Sequence, residues 1–332
     1  MTARTLSLPP EWAPHQAVWV GWPYLRAEWG ETFDAARTEI AAFITALALA
    51  TPVKVACGSR EAYGSAWLAL EKDITAGRVV LHTVPAGDIW LRDTGPIFAV
   101  ENGQPIGLQF QFNGWGGKFQ MVGDTLTSGG LASAEQTPRR PHAFILEGGA
   151  IEWDGTGRLL TTRSCLLNPN RNTNWDISTA SNALKQALNV HHIDWLETGL
   201  LNDHTDGHID NLARFIGPGR VVCQHPSGSN DPNRERLLEI EKFLRAREYE
   251  VITLPSPGWV QDEQGTPLPA SHMNFLISNR HIFLPVFEAE TGAQAAEDLG
   301  AALPTFTIVP LSARNILSGG GAFHCMTQQV PA

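Results

Sequence analysis

Apolar and polar residues along the chain alternate between helical spacing and short extended runs. Five stretches predict helices, namely Glu31–Leu49, Arg60–Ala76, Ile177–Leu188, Asn233–Arg247 and Glu290–Leu299. A short apolar run typical of a strand follows each of them, at Pro52–Ala56, Val79–Val84, His191–Trp195, Glu250–Leu254 and Thr305–Val309. This alternation predicts an α/β fold.

Clusters of polar residues recur along the chain at comparable distances. The gaps between Asp93, Glu147, His208, Asn274 and Cys325 are 54, 61, 66 and 51 residues. Recurrence at such a period is typical of a repeated supersecondary unit around a shared axis. Five units of this size account for the whole chain, residues 1–332, as one domain, whereas the length of 332 residues alone would allow two.

The composition limits the classes of partner. Lysine and arginine number 24 against 34 aspartates and glutamates, which gives a net charge of −10. This balance and the lack of a basic run argue against nucleic-acid binding. They favour cationic ligands, because a negative surface raises the local concentration of cations. Hydrophobic residues at 43% and charged residues at 17% are typical of a soluble protein with a large buried core.

The sequence predicts neither a membrane span nor a signal peptide. Its longest apolar stretch, Ala41–Ala50, is well short of the ~20 residues that cross a bilayer. The segment Met1–Pro10 contains no apolar core of the kind found in signal peptides. The cysteines show no paired spacing, which predicts reduced thiols in the cytoplasm.

One cysteine, Cys325, follows a glycine run, Gly319–Gly321. A lone cysteine is more often a small buried hydrophobe than a nucleophile. Here the glycines allow unusual backbone angles and close approach of a ligand. The polar residues around Cys325 are untypical of a core, so the sequence favours a nucleophile at the mouth of a flexible turn. Cys57 and Cys223 lie in apolar runs and are interpreted as structural, whereas Cys165 is left undecided.

The polar cluster at residues 203–210 has three interpretations. His204 and His208 are four apart, which on a helix would place both on one face as a zinc-binding pair. Gly207 argues against a helix there. If residues 208–215 form a strand, His208 and Asp210 point to the same face and suit acid–base work and cation binding. A solvated turn is the third interpretation, and all three remain open at this stage.

Two further segments carry carboxylates beside other polar or aromatic groups. Asp88 and Asp93 bracket Trp90, which suits a planar cation through charge pairing and cation–π contact. A capped turn explains the same aspartates equally well. Glu147, before two glycines, is either a turn residue or a buried partner that orients a histidine. Together, the carboxylates, a histidine and a thiol on an acidic chain predict a thiol enzyme that acts on a cation.

The motifs taken together resemble the agmatine deiminase family, which is related to bacterial peptidylarginine deiminase within the guanidino-group-modifying superfamily. The resemblance runs from about Trp12 to Pro331. It implies a five-bladed α/β propeller, the pentein fold, with the site on its axis. The matching segments are Trp90–Pro96, Phe112–Lys118, Glu147–Gly149, Asn168–Asn172, Thr205–Asn211, Asn274–Phe275 and Gly319–Gln329.

The resemblance implies a catalytic role for each of five residues. Cys325 would attack the guanidinium carbon, and His208 would protonate the departing ammonia and then activate water. Asp93 and Asp210 would hold guanidinium N–H groups in charge-assisted hydrogen bonds. Glu147 would orient His208 and favour its protonated form. The family needs no metal and no organic cofactor.

The resemblance also implies a set of substrate-binding residues besides the two aspartates: Trp90, Asn274, His204, Gly320 and Gly321. Two positions depart from the family pattern. His204 replaces a glutamate near the end of the pocket that receives the distal amine of agmatine, and Ala322 replaces an asparagine. A neutral imidazole offers no countercharge to an ammonium, so the sequence predicts weakened recognition of that end.

Three functional hypotheses follow. The leading one is a cofactor-free guanidine deiminase that converts agmatine to N-carbamoylputrescine and ammonia, in polyamine biosynthesis leading to putrescine. Another arginine-like or peptidylarginine guanidine is the alternative substrate within this class. The second hypothesis is a metal-dependent hydrolase that uses His204 and His208, and the third is a catalytically silent propeller that binds cations. The expected partner is a small cationic guanidine, and a homo-oligomer is left open.

Overall fold

A computed structural model describes residues 6–332 of the chain. The segment Met1–Pro10, in which no signal peptide is predicted, is described only from residue 6 onward. Within residues 6–332, none of the helices is both long and apolar enough to cross a membrane.

Seventeen strands run through the described chain. In chain order they are β1 Leu6–Ser7, β2 His15–Trp22, β3 Val53–Cys57, β4 Val79–Thr83, β5 Ile97–Glu101, β6 Gln104–Gln111, β7 Arg139–Ile145, β8 Ile151–Trp153, β9 Arg158–Thr162, β10 His192–Leu196, β11 Ala213–Gly217, β12 Arg220–His225, β13 Glu250–Pro255, β14 Leu276–Ser278, β15 His281–Val286, β16 Thr307–Ser312 and β17 Thr327–Pro331.

Ten α-helical segments connect or flank these strands. They are α1 Arg26–Trp29, α2 Phe33–Leu47, α3 Arg60–Thr75, α4 Leu91–Thr94, α5 Gly114–Gly117, α6 Asp124–Ala134, α7 Arg163–Leu166, α8 Ile177–Leu188, α9 Arg234–Arg245 and α10 Ala289–Ala302. The five helices predicted from apolar spacing are therefore confirmed as α2, α3, α8, α9 and α10, and the strand predicted after each is present. The first predicted helix is shorter than expected, because it begins at Phe33 after a 3₁₀ turn and ends at Leu47.

The strands form five small sheets that share one pattern. In each sheet an antiparallel pair is followed by a helix and a third strand, which lies parallel to the second. Strands β11, β12 and β13 with α9 show the unit in its simplest form. In the fifth sheet the antiparallel pair joins the C-terminal β17 to the N-terminal β2, so the two ends of the chain close the ring.

Five hydrophobic clusters lie between successive sheets. One cluster combines residues of β5 and β6 with residues of β8 and β9, and the next combines β9 and β10 with β11 and β12. Further clusters join β11 and β12 to β14 and β15, then β14 and β15 to β2 and β3. The last joins β2 back to β5. This closed series of cores confirms the five-bladed α/β propeller, and burial of these faces supplies the main stabilising term.

Each recurring polar residue stands directly before the first strand of a blade. Asp93 precedes β5, Glu147 precedes β8, His208 precedes β11, Asn274 precedes β14 and Cys325 precedes β17. The spacing in the sequence therefore reflects the repeat of the blades. Corresponding ends of inner strands meet near the axis of a propeller, which brings these five side chains together.

Candidate active site

Cys325 lies at the base of this central site. It is only 3% exposed. Its Sγ lies 3.0 Å from Nδ2 of Asn274 and 3.4 Å from Oδ2 of Asp210. Burial raises the pKa of the Cys325 thiol well above its ordinary value, and the charges of Asp210 and Asp93 raise it further. The thiol of Cys325 is therefore neutral, and it is held between an amide and a carboxylate.

The prediction that Cys325 lies at the mouth of a flexible, polar turn is wrong about its surroundings. Thr327, Gln328 and Gln329 are all buried in β17. Two of these side chains have partners inside the protein, since Arg92 Nη1 donates to Gln329 Oε1 at 2.7 Å and Thr327 Oγ1 donates to the carbonyl of His324 at 3.0 Å. Gln328 Oε1 has none within the described chain. A polar sequence can form an inner strand when most of its polar groups have partners.

His208 lies among carboxylates in the same interior. Its Nδ1 is 3.8 Å from Asp93 Oδ2, and its Nε2 is 3.9 Å from Glu147 Oε2. Burial alone would lower the pKa of His208, but Asp93, Cys165 and Glu147 together raise it well above its ordinary value. The histidine is therefore an imidazolium at neutral pH, which is the form that can donate a proton.

The backbone around His208 differs from the strand predicted for residues 208–215. Residues Ile209–Asn211 form a 3₁₀ turn, and β11 begins only at Ala213. Asp206 and Gly207 have φ angles of 66° and 105°, so the chain turns sharply just before His208. The interpretation based on alternating strand faces is therefore wrong. His208 and Asp210 nevertheless reach the same site, because the turn brings both inward.

Asp93 and Asp210 face this site from two different blades. Asp93 accepts hydrogen bonds from the backbone N–H of Gly149 at 2.9 Å and from Nε1 of Trp115 at 2.8 Å. Asp210 Oδ2 lies 2.8 Å from Nδ1 of His324. Its buried Oδ1 has no hydrogen-bond partner within the described chain. An unsatisfied buried carboxylate oxygen is costly, so Asp210 is prepared to accept from a ligand.

The two aspartates titrate differently. Burial raises the pKa of Asp93, and His208 opposes this rise while Asp210 and Glu147 add to it. Burial would also raise the pKa of Asp210, but the hydrogen bond and charge of His324 hold it below its ordinary value. Asp210 is therefore the more firmly ionised of the pair, and a bound cation between them would stabilise both negative charges.

Glu147 is held in place by Arg171, a residue to which the sequence assigned no role. Arg171 Nε donates to Glu147 Oε1 at 2.6 Å, and its Nη1 and Nη2 donate to Asp206 and to the carbonyl of Thr205 at 2.7 and 2.9 Å. Burial would raise the pKa of Glu147, but His208 and Arg171 lower it. Arg171 thus fixes both the carboxylate behind His208 and the turn that carries it.

Two further residues of the site were missed in the sequence. His324 connects Asp210 to Glu11, because its Nε2 lies 2.8 Å from Glu11 Oε2. Gly149 leaves room at the centre: a Cβ there would lie 2.5 Å from His208 Nδ1 and 3.0 Å from oxygens of Asp93 and Asp210. Both lie next to residues that were identified, but nothing in their local pattern shows these long-range contacts.

A cleft leads from Cys325 to the surface, with an empty volume of about 660 Å³. Trp90 forms part of its wall, with one ring edge beside Gly321 and Cys325 and another beside Gly319 and Trp29. Asn274 and Gly321 contact Cys325 without bordering the cleft. The residues that border it are Glu28, Trp29, Asp88, Trp90, Asp93, Trp115, Phe119, Met121, His204, Thr205, Ser318, Gly319, Gly320 and Cys325.

His204 borders this cleft away from the buried cluster. A Cβ on Gly320 would lie 3.3 Å from His204 Nδ1, and the ring of Phe119 lies 5.6 Å from that of His204. Among residues 6–332, the His, Cys, Asp and Glu groups close enough to share a metal ion are those of Glu147, Cys165 and His208. His204 is not among them, which argues against the alternative interpretation of His204 and His208 as a metal-binding pair.

Two carboxylates border the cleft beyond the tryptophans. Asp88 is buried and its Oδ1 accepts from Nε1 of Trp29 at 3.1 Å, whereas Glu28 is exposed. Burial raises the pKa of Asp88 to about 7. The sequence placed Asp88 against Trp90, but its partner is Trp29, which stacks on Trp90 with ring centroids 6.0 Å apart. The cleft therefore has acidic groups at both ends and aromatic walls between them.

Known proteins resemble this chain over nearly its full length. The sequence profile of the Porphyromonas-type peptidyl-arginine deiminase family matches residues 7–331. A protein of Stutzerimonas stutzeri (strain A1501) named agmatine deiminase is 35% identical, and the alignment covers 98% of this chain and 95% of that protein.

Solved structures show the same architecture. The agmatine deiminase of C. jejuni with substrate bound has a TM-score of 0.93 and 27% identity, covering 100% of this chain and 98% of that one. The agmatine deiminase of Enterococcus faecalis has a TM-score of 0.90 and 28% identity, covering 98% and 96%. The similarity therefore includes every blade and every loop that contributes to the site.

Proposed function

The chain belongs to the Porphyromonas-type peptidyl-arginine deiminase family, and we propose that it hydrolyses agmatine to N-carbamoylputrescine and ammonia through a covalent intermediate on Cys325. One observation carries this proposal. A buried thiol, an imidazolium and two carboxylates converge at the end of a cleft whose outer part holds a second pair of carboxylates. Agmatine has a guanidinium and an ammonium at its two ends, which match these two acidic regions.

Binding places the guanidinium between Asp93 and Asp210. The free Oδ1 of Asp210 and the remaining acceptor capacity of Asp93 receive its N–H groups in charge-assisted hydrogen bonds. The cation also offsets the two negative charges that raise the pKa of the Cys325 thiol. Substrate binding therefore lowers that pKa and releases the thiol proton to solvent, which ionises the nucleophile only when the substrate is present.

The first chemical step forms the covalent intermediate. The thiolate of Cys325 attacks the guanidinium carbon, and His208 transfers its proton to the departing nitrogen, which leaves as ammonia. The carbon–nitrogen bond is broken and a carbon–sulfur bond is formed, so the product of this step is an S-alkylthiouronium. His208 is left neutral beside it. Asp93 and Glu147, at 3.8 and 3.9 Å from its ring nitrogens, favour the return of the proton.

The second step consumes water. Neutral His208 removes a proton from a water molecule, whose oxygen attacks the thiouronium carbon. The carbon–sulfur bond then breaks, sulfur takes back a proton from the protonated urea, and N-carbamoylputrescine is released. His208 ends protonated, as it began. Two steps with a good sulfur leaving group replace one difficult hydrolysis of a resonance-stabilised cation.

The charges along the cleft favour agmatine over the other guanidines of its class. The carboxylate of free arginine would face Asp88 and Glu28, and like charges destabilise such a complex. A peptidylarginine would offer only neutral amides there and leave the buried Asp88 without a cation. The ammonium of agmatine pairs with this acidic region. Ammonia release should therefore be highest with agmatine in a panel that also contains n-butylguanidine, free arginine and a blocked arginyl peptide, and equal rates for all four would refute the assignment.

Asp88→Asn is expected to weaken the use of agmatine specifically. The variant keeps an acceptor for Trp29 but removes the charge that pairs with the ammonium, so kcat/KM for agmatine should fall about tenfold or more. For n-butylguanidine, which has the same length and no amine, it should change little. Since Asp88 is ionised above its pKa of about 7, the wild-type preference for agmatine should also rise as pH increases through 7.

Asp124→Asn is the matched control for this variant. Asp124 is a second buried aspartate with a raised pKa next to Asp88, but it borders a neighbouring cavity and accepts from the backbone of Gly87. The ratio of agmatine to n-butylguanidine activity should be unchanged in Asp124→Asn. If Asp88→Asn also leaves this ratio unchanged, Asp88 does not recognise the amine.

His204→Glu is expected to improve kcat/KM for agmatine. His204 borders the cleft near Gly320, and a carboxylate there adds a third negative group for the ammonium. Steady-state kinetics with n-butylguanidine in parallel should show little change, because that substrate has no charge at its far end. Unchanged agmatine kinetics would show that the ammonium does not reach position 204.

We place this activity in the cytoplasm. The four cysteines, Cys57, Cys165, Cys223 and Cys325, are all unpaired and buried, and a cytosolic environment keeps such thiols reduced. A free thiol at position 325 is also what the mechanism requires. Retention of full activity after exposure to an oxidising thiol–disulfide buffer would remove this argument for a reducing compartment.

A further inference from the structure

Cys165 has no role in the mechanism above, although its thiol lies beside the acid–base histidine. It is fully buried in α7. Its Sγ, a ring nitrogen of His208 and a carboxylate oxygen of Glu147 all lie within 4.8 Å of one another. Neither ring nitrogen of His208 has a hydrogen-bond partner within the described chain, and the Cys165 sulfur is a nearby acceptor. Its surroundings are therefore functional groups and not only the apolar core.

Thr162 fixes the position of Cys165 relative to His208. Its Oγ1 accepts a hydrogen bond from the backbone N–H of Cys165 at 3.3 Å, as the cap of α7. The same hydroxyl donates to the carbonyl of Gly207 at 2.6 Å. Gly207 is the residue immediately before His208. One side chain therefore joins the helix that carries the thiol to the turn that carries the imidazole.

The two structural cysteines of the chain have different neighbours. Cys57 lies in β3, where its Sγ is 3.9 Å from the carbonyl of Val55. Cys223 lies in β12, and burial raises the pKa of its thiol to about 12. Neither borders the cleft of the active site. Burial also raises the pKa of the Cys165 thiol, so it remains neutral, but the neighbouring His208 opposes this rise.

The ring of His208 needs a hydrogen-bond partner, and the neighbouring carboxylates do not fully supply one. Asp93 and Glu147 are 3.8 and 3.9 Å from its ring nitrogens, which is beyond the usual length of an N–H···O hydrogen bond. Asp210 faces the space beside Nδ1 at the position of Gly149, and Arg171 lies behind Glu147. These charged groups set the net charge around the ring but leave its orientation loosely defined.

We propose that Cys165 is a positioning residue whose sulfur accepts a hydrogen bond from the imidazolium of His208 and holds the ring so that the nitrogen facing Gly149 stays free for the substrate. This inference rests on the proposed function, because it assigns His208 the proton transfers of that reaction. A neutral sulfur acceptor stabilises the imidazolium without adding a further negative charge to a site that already contains three carboxylates. The Cys165 sulfur therefore orients the imidazolium of His208 and does not take up the proton that His208 transfers to the substrate.

The test compares Cys165→Ala and Cys165→Ser with Cys223→Ala as the matched control. His208 donates its proton from the imidazolium form, so activity is present below the pKa of His208 and lost as pH rises through it. Loss of the acceptor should lower that pKa. In Cys165→Ala, kcat for agmatine should fall about tenfold and the alkaline limb of its pH profile should move to lower pH. Cys165→Ser, which keeps an acceptor, should restore both, and Cys223→Ala should change neither.

A second readout does not depend on turnover. The titration of the His208 ring, followed by nitrogen NMR in the ligand-free protein, should end at lower pH in Cys165→Ala than in the wild type or Cys165→Ser. Thermal melting of each variant checks that it is folded. If Cys165→Ala is folded and titrates as the wild type does, the proposal is overturned. If the wild type releases no ammonia from any guanidine, the proposed function fails, and the NMR titration still tests the contact between Cys165 and His208.

Discussion

Replacement of Cys325 by alanine is expected to lower kcat for agmatine by about four orders of magnitude or more, as loss of a catalytic nucleophile does in other covalent hydrolases. Its Sγ lies 3.4 Å from Asp210 and 3.0 Å from Asn274. Of the four cysteines, it is the one that borders the cleft. Steady-state ammonia release measures the effect, and a thermal melt shows whether the variant is folded.

Cys57→Ala and Cys223→Ala provide the controls for this prediction. Both residues are fully buried in apolar strands. Their truncation should lower the free energy of unfolding by roughly 1–3 kcal/mol and leave kcat close to that of the wild type. Near-normal turnover in Cys325→Ala, with a second cysteine carrying the label after treatment with a haloacetamidine, would move the nucleophile to another position.

His208→Gln is expected to have the second-largest effect, a loss of about 10²–10⁴-fold in kcat. In the proposed mechanism His208 transfers protons in both chemical steps, first to the departing nitrogen and then from water, and glutamine cannot carry a proton at neutral pH. Rapid-quench kinetics should show that formation of the intermediate and its hydrolysis are both slowed. Because Asp93 and Glu147 lose a cationic neighbour, the variant should also be less stable than the wild type.

His225→Gln is the control for this variant. His225 is exposed at the end of β12, where its Nδ1 lies 2.9 Å from Glu241. Its replacement should change neither step, because it lies outside the central site. A His208→Gln enzyme that forms and hydrolyses the intermediate at wild-type rates would require another acid and base, and would exclude His208 from both roles.

The sequence predicted the repeat because the polar residues of the site recur along the chain with the same period as the blades. Asp93, Glu147, His208, Asn274 and Cys325 each stand directly before the first strand of a blade, so their spacing measures the blade itself. Amphipathic helices such as α8 and α9 were also predicted closely, since one face of each packs on a sheet and leaves a regular apolar pattern. Local periodicity was sufficient for these elements.

Other elements depend on contacts that leave no local pattern. The strand β17 pairs with β2, almost the full length of the chain away. His324 and Glu11 are likewise distant in sequence but lie 2.8 Å apart. The polar residues around Cys325 were interpreted as untypical of a core, whereas those of β17 are buried and Arg92 donates a hydrogen bond to Gln329 there. Burial of polar groups is decided by partners from other blades, and one sequence read locally does not show those partners.

The carboxylates at the outer end of the cleft were not recognised from the sequence as a group, for the same physical reason. The weakened recognition of the amine that His204 predicts stays a prediction. Asp88 and Glu28 come from two other segments and border the same cleft. Their approach depends on Trp29, whose indole donates to Asp88 and stacks on Trp90. No single segment of the sequence contains the carboxylates, the aromatic walls and His204 together.

In the proposed mechanism, turnover passes through a covalent thiouronium on Cys325. Acid quenching of the wild-type enzyme during turnover of agmatine, followed by peptide mass spectrometry, tests this most directly. A substrate-derived adduct is expected on the peptide that contains Cys325, lost when agmatine is exhausted and never formed in Cys325→Ala. Formation of N-carbamoylputrescine at full rate with no adduct on this peptide, in a time course that resolves the first turnover, would contradict it.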